Sequence, residues 1–418
     1  MEPTVVLLGT CDTKLEELVH LRQEILRHTV NVTLIDVGRT LTQHDDITIS
    51  CEELVRDHGA GKDIAELPRG EIIKTMAGYA TIAVKSLFEK GSIHAIMAAG
   101  GSGGTSLAAE VMRKAVPIGF PKLIVSTVAS GDTGPIVEET DITLMYSVVD
   151  VAGLNQVLRN ILSNAAAAIA GMAHVYVSRR SHADSLTTKK QRVGITMFGV
   201  TTPAVDAIRK HLESNYDIET YIFHATGHGG KSMERLIRAG EIDAVLDLTT
   251  TEICDHLTGG VMSAGPHRLE AAAKAGIPSI ISVGATDMTN FGPMSTVPER
   301  YKDRKLYEHN PVVTLMRTSK DEARQVGEFI VQRLRNYAKD ANAIQVWLPS
   351  GGISAIAVPD GPFADEEADA ALFDAIKNGL SGSGVEVVVD QRAINEESFA
   401  HDIAEALVAK MGMSRKAA

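Results

Sequence analysis

Short apolar runs recur along the chain, each followed by a small polar or glycine-rich stretch and then by apolar residues at helical spacing. Thr4 to Leu8 (TVVLL) reads as a strand buried on both faces, and Leu15, Leu18, Leu21 and Ile25 repeat as one side of a helix. Val30 to Val37 is a second strand, Glu71 to Lys90 a long helix, Ala95 to Ala99 a third strand and Leu107 to Ala115 its helix. Pro121 to Val128 and Asp141 to Tyr146 complete five strands, and an alanine-rich helix runs from Asn155 to Met172. Strands alternating with helices predict an open, mostly parallel, doubly wound sheet. Arg39 to Gly70 lacks periodicity and is expected as a long loop lying over the site like a flap. Ser178 to Arg192 is polar and aperiodic, and after it the pattern restarts with Val193 to Phe198 and Glu219 to Phe223. Further strands are predicted at Ala244 to Leu248, Pro278 to Val283, Val312 to Arg317, Ile344 to Leu348 and Val385 to Val389.

The expected architecture is therefore two domains, 1–180 and 190–418. Each is a Rossmann-like, doubly wound, mostly parallel three-layer α/β domain, and the two are expected to face a central cleft. LLGTCDT near Gly9 parallels MFGVTTP near Gly199, AIMAAGG parallels AVLDLTT, and PKLIVSTVASGD parallels PSIISVGATDM, which suggests a divergent duplication.

Composition narrows the function classes. A net charge of −12 without a long basic block argues against nucleic-acid binding. Three scattered cysteines, Cys11, Cys51 and Cys254, argue for a reducing compartment and against a disulfide framework. No apolar run approaches the roughly 20 residues of a membrane span, and a strand at the start leaves no room for a signal peptide. A cytoplasmic protein without a membrane partner is the expectation.

Candidate chemistry concentrates where strands end. Gly100-Gly101-Ser102-Gly103-Gly104-Thr105 joins a strand to a helix. Glycine amides and a helix start together suit phosphate, although the loop has neither the P-loop lysine nor G-x-G-x-x-G spacing. The alternative is a tight strand-to-helix turn. Gly9, Thr10 and Asp12 could add phosphate or metal contacts, or Asp12 could cap the following helix. Cys11 between them is a candidate nucleophile. Asp36 and Gly38 end the second strand where a Rossmann acid meets a ribose, or where a carboxylate caps a turn. Ser130, Gly131 and Asp132 could help hold hydrated Mg²⁺, or form a polar turn. In the second half, His224 and His228 flank a glycine-rich loop, and Glu252 and His256 share a helix face. Such a set suits acid–base catalysis or a divalent metal, against the plainer reading of surface histidines and caps. The small polar loops Thr249 to Thr251 and Gly284 to Asp287 suit a carboxylate or hydroxyl substrate, and Gly351-Gly352-Ile353-Ser354 could form a second anion loop. Lys14, Arg39, Lys62, Lys231 and Arg317 are candidate charge partners, and the sequence assigns no metal ligands.

GTCDTK, IDVG, AAGGSGGT, STVASGDTGP, FHATGHGGKSMERL, DLTTTEICDHLTGG and LPSGGIS, in this order, resemble one bacterial and plant family. That family includes the ATP-binding N-terminal domain of the tomato inhibitor of tomato mosaic virus replication. The resemblance implies two Rossmann-like domains, ATP as ligand, and a partner protein with a TIM barrel similar to phosphoenolpyruvate hydrolases. The leading expectation is an ATP-binding protein acting with that partner. The alternatives are an enzyme on a small phosphorylated or carboxylated metabolite and a nucleotide-sensing regulatory module. Alanine-rich helices also raise the expectation of a homo-oligomer.

Overall fold

The computed structural model of the chain describes residues 2–60, 64, 66–183 and 190–416. It divides into two units, Met1–Thr187 and Thr188–Ala418.

The first unit runs β1 (Thr4–Gly9), α1 (Cys11–Leu26), β2 (Asn31–Asp36), α2 (Cys51–His58), α3 (Arg69–Glu89), β3 (Ala95–Gly100), α4 (Ser102–Ala115), β4 (Lys122–Ser126), α5 (Gly134–Val137), β5 (Thr143–Tyr146) and α6 (Gln156–Ala183). All five strands are parallel, in the order β2-β1-β3-β4-β5. The unbroken apolar run of β1 follows from burial on both faces. Val5 and Leu7 pack with Leu18, Leu21, Leu158 and Leu162 of α1 and α6. Val6 and Leu8 pack with Met76, Ala80, Leu107 and Met112 of α3 and α4. β2 lies on one side of β1 and β3 on the other, so strand order reverses between β1 and β3. In such sheets the crevice at the carboxyl ends of those strands is the natural ligand site.

The second unit runs β6 (Gln191–Met197), α7 (Thr202–Asn215), β7 (Ile218–His224), α8 (His228–Arg238), β8 (Ala244–Thr249), α9 (Glu252–Thr258), α10 (Glu270–Ala275), β9 (Ser279–Gly284), β10 (Met288–Phe291), β11 (Leu306–Asn310), β12 (Val313–Arg317), α11 (Lys320–Tyr337), β13 (Ile344–Pro349), α12 (Glu366–Leu380), β14 (Glu386–Asp390) and α13 (Glu397–Met411). Its parallel sheet is ordered β14-β13-β9-β8-β6-β7, the order of the first unit with one more strand. β1 thus corresponds to β6, β2 to β7 and β3 to β8, matching the motif pairing in the sequence. Both units are doubly wound three-layer α/β folds.

Several elements depart from expectation. Arg39 to Gly70 is not all irregular: α2 forms within it, held by a Ser50–Glu53 capping box and by burial of Cys51 and Leu54. At eight residues it is too short to show a periodic pattern. Lys62 lies outside the described residues. The strand at Val312 to Arg317 is β12, and it joins a small antiparallel sheet, β10-β12-β11, instead of the main one. α6 contains a stretch, Gln156–Ser181, that by length and composition could cross a membrane, its most apolar 18 residues having a mean hydropathy of 1.3. Its Leu158, Leu162, Ala165, Ala166, Ile169, Ala170 and Ala173 are buried against the sheet. These alanines, expected on an oligomer face, let the helix approach the strands closely.

Candidate ligand-binding site

A cavity of about 500 Å³ opens at the switch point of the first unit. The end of β1 (Gly9, Thr10), the start of α1 (Asp12, Thr13, Lys14), Val37 and Arg39 line one side. The end of β3 and start of α4 (Ala98 to Gly104, Leu107, Ala108) line the other, with Arg69, Ile72 and Ile73 of α3 and with Asp150.

The β1 side is braced by its own carboxylates. α1 begins at Cys11, earlier than expected, so Asp12 and Thr13 belong to its first turn and do not cap it. Asp36 Oδ1 accepts from the Cys11 amide at 2.9 Å and the Gly38 amide at 2.8 Å. Asp36 is fully buried and burial raises its carboxyl above the ordinary range. It therefore ties β2 to α1 from inside, and the ribose contact expected of it is not on the cavity wall. Gly38 is demanded by packing, because a Cβ there would lie 2.7 Å from Asp12 Oδ1 and 3.0 Å from Asp36 Oδ1. Asp12 Oδ2 accepts from the amides of Arg39 at 2.9 Å and Thr40 at 3.2 Å. Thr10 bonds Thr13 through its hydroxyl at 2.9 Å. The Cys11 thiol is buried and pushed far up by that burial and by Asp36, so it stays protonated and is no nucleophile.

The β3 side is open. Gly101 is the N-cap of α4 and no side chain caps the amides of its first turn. Ser102, Gly103 and Gly104 are thus helical, not loop, and their N–H groups have no intrahelical acceptor. Nothing lies within 4 Å of a Cβ built on Gly104, and the nearest atom to one on Gly101 is Thr127 Oγ1 at 3.8 Å. At Gly103 a Cβ would come 3.2 Å from Ile73 Cδ1 and 3.9 Å from an Arg69 guanidinium nitrogen. The fold itself does not require glycine at Gly101 or Gly104. Their bareness leaves backbone N–H groups facing a partly apolar cavity with a cation beside them.

Two further expectations do not reach this cavity. The Thr105 side chain is buried and bonds Ser126 at 2.7 Å, tying α4 to β4. Ser130, Gly131 and Asp132 are exposed off the cavity wall, and Asp132 accepts from the Gly134 amide at 3.1 Å. Among the described residues no group of three His, Cys, Asp or Glu could hold a metal ion.

The second unit fills the corresponding place with its own groups. Thr196 donates to Asp247 at 2.7 Å and Thr201 bonds Thr249 at 2.8 Å, all buried. Arg268, buried, meets Asp247 through both terminal nitrogens at 2.5 and 2.7 Å and Glu252 through Nε at 2.8 Å. Glu252 Oε1 also accepts from the amides of Gly227 at 2.7 Å and Gly230 at 3.0 Å. A Cβ on Gly230 would fall 2.0 Å from Glu252 Oε2, and Gly227 has φ 91°. The glycine-rich stretch between His224 and Lys231 therefore wraps an internal carboxylate.

The expected acid–base set is not assembled. Glu252 is buried on Arg268, and among the described residues it bonds none of the histidines. His224 is exposed with its ring 5.6 Å from that of Phe198, and His228 is exposed as the first residue of α8. His256 packs edge-on to Phe329 at 5.9 Å, and burial and nearby Arg333 lower its ring below the usual histidine range. Thr249, Thr250 and Thr251 are all buried, and Ser354 of the second glycine stretch bonds Asp287 at 2.9 Å. Arg69, Ile72, Ile73 and Asp150 went unread as site residues. Arg69 in particular enters the site only because α3 packs on α4, and no local pattern marks it.

Residues 3–178 match the N-terminal domain and 190–411 the C-terminal domain of Uncharacterised protein family (UPF0261). A UPF0261 protein of Clostridium tetani is 43% identical over 413 residues, covering 98% of this chain and 100% of that one. The tomato mosaic virus (ToMV) resistance protein Tm-1 of Solanum lycopersicum is 37% identical over 429 residues, covering 97% of this chain but 55% of the tomato protein. Among solved structures, a UDP-N-acetylglucosamine 2-epimerase matches 67% of this chain and 79% of its own, at 11% identity and a TM-score of 0.20. That degree of superposition bears on neither the fold nor the chemistry. The chain belongs to the UPF0261 family, and the tomato protein is among its relatives.

Proposed function

We propose that the first unit binds ATP, or a closely related nucleotide, in the switch-point cavity, with phosphate on the first turn of α4. The observation that carries this reading is the open pair Gly101 and Gly104, bare of side chains where the fold would tolerate them, beside uncapped helix amides. Such amides and the helix dipole suit anionic oxygen. The cavity's volume falls within the ~300–1,000 Å³ typical of ligand pockets. Leu8, Ile72, Ile73 and Leu107 supply an apolar wall for the uncharged part of the ligand. Magnesium is proposed to arrive with the phosphates, which then supply most of its oxygen ligands. Three buried, unpaired cysteines support a reducing, cytoplasmic setting. The partner suggested by the resemblance, a TIM-barrel protein, is carried forward as part of this proposal. Calorimetric titration of the chain with ATP and Mg²⁺ tests the reading, and absence of binding at millimolar ATP removes it.

A further inference from the structure

Among the described residues, five ionisable side chains line the switch-point cavity: Asp12, Lys14, Arg39, Arg69 and Asp150. Three are committed to the protein. Asp12 holds the amides of Arg39 and Thr40, the Lys14 ammonium donates to the Val151 carbonyl, and Arg39 donates to the Leu67 carbonyl. Arg69 and Asp150 are exposed, and neither makes a hydrogen bond or ion pair with any described residue. Among the described residues the cavity therefore offers a ligand one free cation and one free anion.

Their positions differ in kind. The Arg69 guanidinium lies beside Gly103, in the open first turn of α4, where uncapped amides already favour negative charge. Asp150 precedes Val151, the residue that receives Lys14 of α1, and the first turn of that helix already carries the Asp12 carboxylate and gives its Cys11 amide to Asp36. A carboxylate repels phosphate and accepts hydrogen bonds from hydroxyl or amino groups. We propose that the ligand lies in one direction only, its phosphates between Arg69 and α4 and its uncharged, hydrogen-bond-donating end toward Asp150. This rests on the nucleotide reading above. It keeps the phosphate end expected from the sequence and moves the uncharged end from Asp36 and Gly38 to Asp150.

The test compares ATP with adenosine on the wild-type chain and on R69Q, R69K and D150N, with thermal melts confirming that these surface changes leave the fold intact. R69Q is expected to weaken ATP by about tenfold or more and leave adenosine within about twofold, with R69K restoring part of the loss. D150N is expected to weaken ATP and adenosine by the same factor. Equal effects of R69Q on both ligands, or none on either, overturn the proposal. Tighter ATP binding by D150N, with adenosine unchanged, overturns it too, because the phosphates would then lie at Asp150. If the wild-type chain binds neither ligand, the nucleotide reading fails and takes this inference with it.

Discussion

Replacing Gly104 with aspartate should separate stability from binding. Gly104 sits in the first turn of α4 with open space around its missing side chain. A non-glycine residue in a helix gains roughly 0.5–1 kcal/mol relative to glycine, less the lower helix propensity of aspartate. An acid in the first turn adds about 0.3–1 kcal/mol from the helix dipole. A net gain near 1 kcal/mol raises the melting temperature of a unit this size by about 2–4 °C. The same carboxylate would stand about 4 Å from a bound phosphate, where like charges at an effective dielectric near 20 repel by about 4 kcal/mol per charge pair. That corresponds to a roughly thousandfold rise in Kd for ATP. Differential scanning calorimetry and titration with ATP, on parent and G104D side by side, read the two quantities. A variant that is at least as stable as the parent and still binds ATP with parental affinity would refute the placement of phosphate on α4. A variant that melts several degrees lower would refute the claim that Gly104 has free space.

Three other outcomes follow from the same geometry. Titration should saturate at one nucleotide per chain, because Thr250-Thr251-Glu252 stands in the second unit where Gly100 to Gly104 stands in the first; two sites by calorimetry would contradict this. Glu252→Ala leaves Arg268 and the amides of Gly227 and Gly230 without a partner, and should destabilise the second unit by about 3–5 kcal/mol in urea unfolding. Asp287, wholly buried, has its carboxyl raised to about 7 by that burial. The folded state then holds a proton that the unfolded chain releases, so this group's contribution is complete below pH 4 and is lost as pH rises toward 7. D287N should flatten the decline in unfolding free energy over that window, and an unchanged pH profile would count against the raised carboxyl.

Much of this architecture was legible because strands buried on both faces advertise themselves as unbroken apolar runs, as Val5 to Leu8 and Ala95 to Ala99 do. The site was harder to read. Two glycine-rich stretches follow strands and look alike in sequence, yet Gly100 to Gly104 faces open space while Gly227 to Gly230 encloses Glu252. What distinguishes them is Arg268, far along the chain, which holds that glutamate in place. Asp36 has the position of a ribose-binding acid, but its carboxylate turns inward to two amides that no local pattern reveals. The small antiparallel sheet was missed because β12 carries the apolar run of a main-sheet strand while its antiparallel pairing with β10 and β11 is decided by tertiary contacts.

The packing of α6 also bears on how the first unit is made. One face of its sheet, including Met97, Leu123 and Val125, is covered by α1 together with α6, the last element of the unit. During translation at about 5–20 residues per second, that face stays partly bare for several seconds after β4 has emerged. Until α6 leaves the ribosome, its own apolar stretch and the surface waiting for it are both candidates for chaperone capture. A fragment cut before Gln156 would carry that exposed surface permanently, whereas one extending through Ala183 closes it.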